Sequence, residues 1–483
     1  MVYHLGSKKH VFADWDLIEP GSGLARYDGR ICDGAPASSA LHATREMPYG
    51  VGITAHRPRI DREPLLRPDT FAEGGFICYV SVFEDDGLYR MYTMNWGDAR
   101  QGWNNPYEYM LAYAESTDGT NWTKPSIGLV DCNGSTDNNL VYAGHASPAF
   151  KDPNAPPDER YKLVGMGSKN GRPHLFGAVS GDGLRFKRLE NPLLENYASD
   201  THTVVRFDPE KGRYVGYFRG KRHGRRTLRT IAYAETERFD TWPVPQVIVT
   251  PDLNDGPDAD IYTNSYTPWP GSDAHLMFPA FYQRRLDDTE IHMMTSRDGQ
   301  RWERPIRQPI IDPDSSGLGS SVYAGCELIS LKPGEWALPI SPRPTSHNAY
   351  EFPGGYPDTT DRGFVCLASW RQDGFTSLEA ETEGLCVTIP FTFTGGRLEV
   401  SVWARFGGGI RFELADASVE TKFEAATAIR GHTFDDCDPV SGDVLNHAVS
   451  WHGDSDLSAW SGRPVRLRFQ LRRARLHAFQ FVA

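Results

Sequence analysis

The sequence predicts an all-β chain, a five-bladed β-propeller over residues 1–380 followed by a β-sandwich over 381–483. Three observations predict it. A short segment recurs five times in the first part of the chain, the turns between apolar runs carry hairpin chemistry, and the pattern changes after Ala380. Almost no run carries a convincing helical period; ADASVETKFEAATAIRG at Ala415 to Gly431 could pass for a helix, and the all-β reading is preferred.

The clearest copies of the recurring segment are LAYAESTDGTNWTKP at Leu111 to Pro125 and MMTSRDGQRWERP at Met293 to Pro305. Weaker ones are FGAVSGDGLRFKRL from Phe176, IAYAETERFDTWPVP from Ile231 and CLASWRQDGFTSLEA from Cys366. Each reads as an apolar strand, a turn, an aromatic residue and a return strand. Asp-Gly supplies the positive φ of a tight turn, and the aromatic then lands on one face, against the neighbouring unit. Trp122, Trp242 and Trp302 are therefore read as packing residues, and Asp118, Asp182 and Asp298 as turn caps rather than chemical groups. Upstream lie further strand pairs, such as FICYVSVFEDDGLYRMYTM from Phe76 and TVVRFDPEKGRYVGYFRG from Thr203. Three to four strands per unit is the signature of propeller blades.

Residues 1–70 are irregular, with one strand at HVFADWDLIE that packs on the ring or closes it against the last blade. After Ala380 come short alternating strands with Gly-rich turns and no further copy of the repeat, which reads as an accessory sandwich without the reaction centre. Its acidic run Asp435, Asp436 and Asp438 reads as a turn cluster, with weak Ca²⁺ binding as the lesser alternative.

At 483 residues the chain exceeds what one core serves, so two domains are expected. Hydrophobic residues at 39% and charged ones at 24% are the balance of a soluble globular chain. The net charge is −12 and no Lys/Arg block is longer than GKRHGRR at Gly220 to Arg226, too little for a phosphate footprint, so nucleic acid is not expected as a partner. No apolar run approaches the ~18 residues of a membrane span, and MVYHLGSKKHVFADW lacks the apolar centre of a signal peptide. A cytoplasmic chain or a mature secreted form is expected, with no membrane partner. The seven cysteines, Cys32, Cys78, Cys132, Cys326, Cys366, Cys386 and Cys437, are scattered without C-x-x-C spacing. They are expected as free thiols; neither a metal site nor any cofactor is written in the sequence.

The stretches FADWDLIEPG, GLYRMYTM, YAESTDGTNWTKPSIGLV with NNLVY after it, DTHTVVRFDPEKGRYVGYFR, DIYTNSY with MFPAFY, and the tail PVRLRFQLRRARLHAFQF together resemble the bacterial group related to the N-terminal domain of glycoside hydrolase family 32. The resemblance spans nearly the whole chain. It implies the five-bladed propeller of glycosidase families 32, 43, 68 and 130, which cleave or transfer glycosides with acidic residues around a central funnel. Family 32's Asn-Asp-Pro-Asn-Gly is absent here, its Arg-Asp-Pro survives only as FDP with Asp208, and its Glu-Cys is reversed as GCEL in the fifth unit. A fructosidase is therefore not implied.

In a propeller the first strand of each blade lines the channel, so acids on or just before those strands are the candidates. Asp200 opens SDTHTVVRF, Asp260 opens DIYTNSY, and Glu327 lies in SVYAGCELISL. Glycoside cleavage needs two carboxyls, about 5–5.5 Å apart for retention or about 6.5–9.5 Å for inversion. Glu327, among small and apolar neighbours, is expected as the general acid, with Asp200 or Asp260 as base or nucleophile. Asp16, beside Asp14 and Glu19 in ADWDLIEP, is a further acid candidate. Substrate binders are expected among His202, Tyr262, Asn264, Arg219, Trp96, His145, Arg343 and His347. The expected function is a glycoside hydrolase or transglycosidase acting on a small or exposed-end glycan. A non-catalytic carbohydrate-binding propeller and a scaffold for protein partners are the alternatives.

Overall fold

The recurring Ser-x-Asp-Gly segment folds as a capped turn. In its three strict copies one Asp oxygen accepts the N–H groups two and three residues on. Asp118 takes those of Thr120 and Asn121 at 2.8 and 2.7 Å, Asp182 those of Leu184 and Arg185 at 2.8 Å each, and Asp298 those of Gln300 and Arg301 at 2.8 and 2.7 Å. The preceding Ser116, Ser180 and Ser296 hydroxyls accept the Gly N–H at 2.9, 3.0 and 2.9 Å. Gly119, Gly183 and Gly299 sit at φ of +72°, +78° and +73°, conformations that cost other residues energy. Two of these turns also dock on a neighbouring sheet: the Tyr92 hydroxyl donates to Gly183 O at 2.9 Å and the Tyr217 hydroxyl to Gly299 O at 2.8 Å.

The computed structural model describes residues 2–20, 26–27, 30–31, 48–74, 76–96, 109–224, 227–349, 363–418 and 426–483. Among them regular structure is β, apart from three-residue 3-10 turns such as Pro157–Glu159. Three antiparallel sheets of four strands follow one another: Phe76–Asp85 to Leu140–Ala143, Phe150–Lys151 to Lys187–Arg188, and Val204–Asp208 to Gln246–Val249. Next come a short three-stranded sheet (Tyr266–Pro268, His275–Met277, Met294–Ser296) and a seven-stranded sheet that starts at Ala259–Ile261 and ends by pairing Val365–Arg371 with Arg59–Leu66. The arrangement is propeller-like, but hydrogen bonding yields four blade-like sheets where the sequence suggests five. A single parallel pair, Thr289 with Ser321, fuses what reads as two units into the seven-stranded sheet.

The repeated tryptophans lie at the seams. Trp242 packs with Phe150 and Val164 of the second sheet and Phe218 of the third. Trp302 meets Tyr217 edge-on at 6.1 Å and Tyr266 at 6.3 Å. Trp122 packs where Val80 and Val82 of the first sheet meet Ile329 and Ala337. Each indole N–H is satisfied three residues back, by Phe239, Gly299 and Gly119 carbonyls at 2.8, 3.2 and 3.1 Å.

Polar contacts tie the sheets into a closed circuit around the axis. Ser81 donates to Ala149 O at 2.9 Å, Thr203 N–H to the Ser147 hydroxyl at 2.7 Å, and Thr201 to Tyr262 O at 2.7 Å. Ser265 donates to Ala324 O at 2.8 Å, and Ser341 to Cys78 O at 3.3 Å, returning to the first sheet.

The C-terminal part does not separate into the two sheets of the expected sandwich by hydrogen bonding among the described residues. Its strands belong to one nine-stranded sheet, because Arg397–Asp416 (20 residues) and Val465–Val482 (18 residues) pair along most of their length, interrupted by irregularities such as that between Ala404 and Gly409. N-terminal strands Tyr3–Gly6, His10–Val11 and Gly52–Ala55 join the same sheet. The strand near His10, expected to pack on the ring or to close it, pairs with the C-terminal sheet, His10 with Phe479; Phe12 is buried in the core of the nine-stranded sheet with Phe469 and Phe479. The strand beside the last propeller strand is Arg59–Leu66. In the acidic run, Asp436 accepts from Thr433 and His452, and Asp438 from Ser450 and Gly453. Six cysteines are free thiols, and Cys32 lies outside the described residues.

Candidate functional site

Cys78, Tyr79, Asp200, Tyr262 and Tyr323, at or beside the first strands of their units, meet in a cavity of about 230 Å³. Met94, Trp96, Tyr109, Arg229, Arg343, His347 and Asn348 complete its lining. The volume is below the roughly 300–1,000 Å³ of sites for drug-sized ligands, a size for a small ligand rather than a long chain.

Among the described residues Asp200 is the one carboxylate in this lining. The segment carrying it is fixed from both ends: Ser199 and Thr203 hydroxyls are bonded at 2.8 Å, Ser199 accepts the Arg219 N–H at 3.0 Å, and Thr201 is tied to Tyr262 O. One Asp200 oxygen lies 3.3 Å from His145 Nε2 and the other 3.8 Å from an Arg219 nitrogen, with the side chain 49% exposed. The Met166 N–H donates to His145 Nδ1 at 3.4 Å, which leaves the ring proton on Nε2, facing Asp200. That His145 contact, opposed by partial burial and aided by the charges of Arg219 and Arg229, brings the Asp200 pKa down to about 2. Asp200 is an anion at neutral pH, suited to act as base or nucleophile and unsuited to donate a proton.

Arginines and aromatic rings surround it. The Arg219 guanidinium lies 4.4 Å from the Tyr262 ring centre and donates to Tyr262 O at 3.1 Å. Arg343, buried, donates to Ser346 O and His347 O at 3.1 and 2.9 Å. Burial, reinforced by Arg343, brings His347 down to about 3, and burial brings His202 to about 3 as well, so both rings are neutral. His202 stacks on Tyr79 at 5.2 Å beneath the cavity wall. Burial pushes the Cys78 thiol up to about 12, which removes it as a nucleophile.

The other acid candidates do not converge on this cavity. Asp260 is fully buried, and its oxygens are taken by Arg229 and Arg284 at 2.8–2.9 Å. Its position just before Tyr262 is as the sequence suggests, but its carboxylate faces cations instead of the channel. Glu327 lies outside the cavity lining, with both oxygens 3.4 Å from Arg206 NH1. Asp16 lines a different cavity of about 660 Å³, with Arg206, Asp208, Asp273 and Arg297. Asp14 pairs with Arg297 at 3.0 Å, and Glu19 with Arg466 at 3.0 Å. Asn264 is spent structurally, donating to His202 O and Tyr217 O at 3.0 and 3.2 Å and accepting the Tyr266 N–H at 3.1 Å. Tyr262, Trp96, Arg343 and His347 do line the cavity, and His145 and Arg219 stand behind Asp200. Sequence reasoning missed Arg229, Tyr79, Tyr109, Tyr323 and Asn348, which carry no motif; strand alternation through SVYAG is the one signal that could have pointed to Tyr323.

No protein-family model matches the chain, and no curated protein matches it. Solved structures do resemble it. An α-L-arabinofuranosidase from Podospora anserina in complex with cellotriose is 12% identical, with a TM-score of 0.44 over 67% of this chain and 99% of that one. A β-1,2-mannobiose phosphorylase from Listeria innocua is 10% identical, with a TM-score of 0.43 over 67% and 98%. An N-acetylgalactosamine deacetylase from F. plautii is 13% identical, with a TM-score of 0.43 over 66% and 95%.

Proposed function

We propose that this chain is a carbohydrate-active protein, a glycosidase that holds one terminal sugar ring in the 230 Å³ cavity with Asp200 as its ionised base or nucleophile. The observation that carries this reading is a half-exposed carboxylate, anionic down to about pH 2, in a cavity walled by Tyr79, Tyr109, Tyr262, Tyr323 and Trp96. Tyrosine and tryptophan rings offer apolar faces to sugar C–H groups, while Asn348 and the tyrosine hydroxyls offer partners to sugar hydroxyls. The proton for the leaving group comes from a group other than Asp260, which is buried against Arg229 and Arg284, and Glu327, which faces Arg206 outside the cavity. The same reading takes the fused seven-stranded sheet and its three-stranded neighbour as two blades, five in all. It is supported by the circuit of polar contacts returning from Ser341 to Cys78. The part after residue 380 is read as accessory, and the setting as cytoplasmic.

A second reading, a sugar-binding propeller without turnover, is favoured by one fact: among the described residues Asp200 is the sole carboxylate lining this cavity. A screen of oligosaccharides and aryl glycosides separates the two. Turnover by the native protein that disappears in Asp200→Asn, with sugar binding retained, supports the glycosidase. Sugar binding without turnover of any substrate supports the binder, and neither binding nor turnover defeats both.

A further inference from the structure

Arg229 is mounted as an anion receptor. Its backbone N–H and its NH1 both bond to Asp260, at 2.9 Å each, and Asp260 has no exposure to solvent. The guanidinium is braced between the rings of Tyr262, 5.2 Å from its centre, and Tyr282, at 5.6 Å. Among the described residues its NH2 and Nε make no hydrogen bond to protein, and the side chain, 35% exposed, lines the cavity. Asp260 does not neutralise it alone, since Arg284 binds the same carboxylate through both Nε and NH2 at 2.9 Å. Asp200, across the cavity, already faces Arg219 and His145. A fixed guanidinium with free N–H groups matches the paired oxygens of an oxyanion better than the single hydroxyls of a neutral sugar. Its setting is also unusual in a chain of net charge −12, where a local positive site selects anions against the overall field.

We propose that Arg229 recognises an oxyanion, and that the ligand of this cavity is an acidic sugar whose carboxylate it grips. The inference rests on the cavity being the sugar site, and it adds the charge of the sugar. Free inorganic phosphate offers the same oxygen chemistry without the sugar.

The test measures binding to the full-length protein and to Arg229→Gln by calorimetry and thermal shift. The probes are D-glucuronate and D-galacturonate, D-glucose and D-galactose, and inorganic phosphate. The expected result is uronate binding at least about tenfold tighter than that of the matching neutral sugar, with the preference lost in Arg229→Gln while the variant keeps its fold. Phosphate binding that depends on Arg229, without any uronate preference, supports the oxyanion site and overturns the acidic sugar. Equal binding of neutral and acidic sugars, with no phosphate effect, overturns the inference and leaves the sugar site standing. Failure of every sugar alongside Arg229-dependent phosphate binding removes the carbohydrate reading and keeps the oxyanion site. No binding of any probe overturns both. Arg229→Lys serves as control if Arg229→Gln unfolds, since it keeps the charge and loses the two-pronged geometry; an unchanged uronate preference in it overturns the paired-oxygen match.

Discussion

Asp260 accepts both the backbone N–H and the side-chain NH1 of Arg229, so one buried carboxylate sets where that residue leaves its strand and where its guanidinium ends. Arg284 closes the other side of the same carboxylate. Asp260→Asn removes the charge that two cations share, and both remain partly solvated. A loss near the lower end of the range for broken buried pairs, about 3 kcal/mol, is expected. The denaturation midpoint in urea measures it, and an unchanged midpoint contradicts this account of Asp260.

His145→Gln tests the cause of Asp200's low pKa. The contact with His145 comes first among the influences that lower it to about 2, so its removal moves the pKa up toward the ordinary value of about 3.9. Because the folded value is depressed, the group's stabilising contribution is fully present above about pH 3.9 and is lost as pH falls through about 2. In the variant the pH dependence of stability over that window flattens. Carboxyl ¹³C titration of Asp200 in both proteins reads the shift directly, and an unmoved value assigns the effect to the arginines.

Gly299→Ala places a methyl 2.7 Å from the Tyr217 hydroxyl at a backbone φ of +73°. The left-handed conformation alone costs about 1–2 kcal/mol for an L-residue, and the clash adds to it. Tyr217→Phe removes the hydroxyl and with it the clash, so the pair of substitutions in a double-mutant cycle is less damaging than the sum of the two. Strict additivity would show that the turn and Tyr217 are not in contact in solution.

Glu327→Gln and Asp200→Asn should part company. Glu327 faces Arg206 outside the cavity, so its substitution leaves turnover and ligand affinity near native, whereas Asp200→Asn abolishes turnover. Steady-state rates on whichever glycoside the screen identifies decide it, and a collapse of turnover in Glu327→Gln returns the acid role to that residue.

Short-range features were the legible ones. The caps at Asp118, Asp182 and Asp298 and the seam positions of the tryptophans follow from turn chemistry within a few residues, which repeats along the chain. Asp200 was legible because a polar run beginning a channel strand is unusual. Asp260 looked the same in sequence. What separates them is the identity of the cations opposite, Arg229 lying 31 residues earlier and Arg284 24 residues later, and alternation along one strand cannot report those partners. Arg229 stayed hidden for the mirror reason, since one arginine at the start of an apolar strand reads as a solvated end. The nine-stranded sheet was beyond reach because its pairings join residues as far apart as His10 and Phe479.

That long-range stitching dictates an order of events during synthesis. Val11 pairs with Ala478, so the earlier strand waits for one made 467 residues later, roughly 23–93 s at ribosomal rates of about 5–20 residues per second. The hairpin-built sheets between them have their partners close by and can form as the chain emerges. Meanwhile the nascent chain carries unmatched N-terminal edges, at His10–Val11 and at Arg59–Leu66, which has no partner until Val365–Arg371 appears. A premature stop between residues 416 and 465 would therefore leave both His10–Val11 and Arg397–Asp416 without their partner strand, exposing Phe12 to solvent and to other chains.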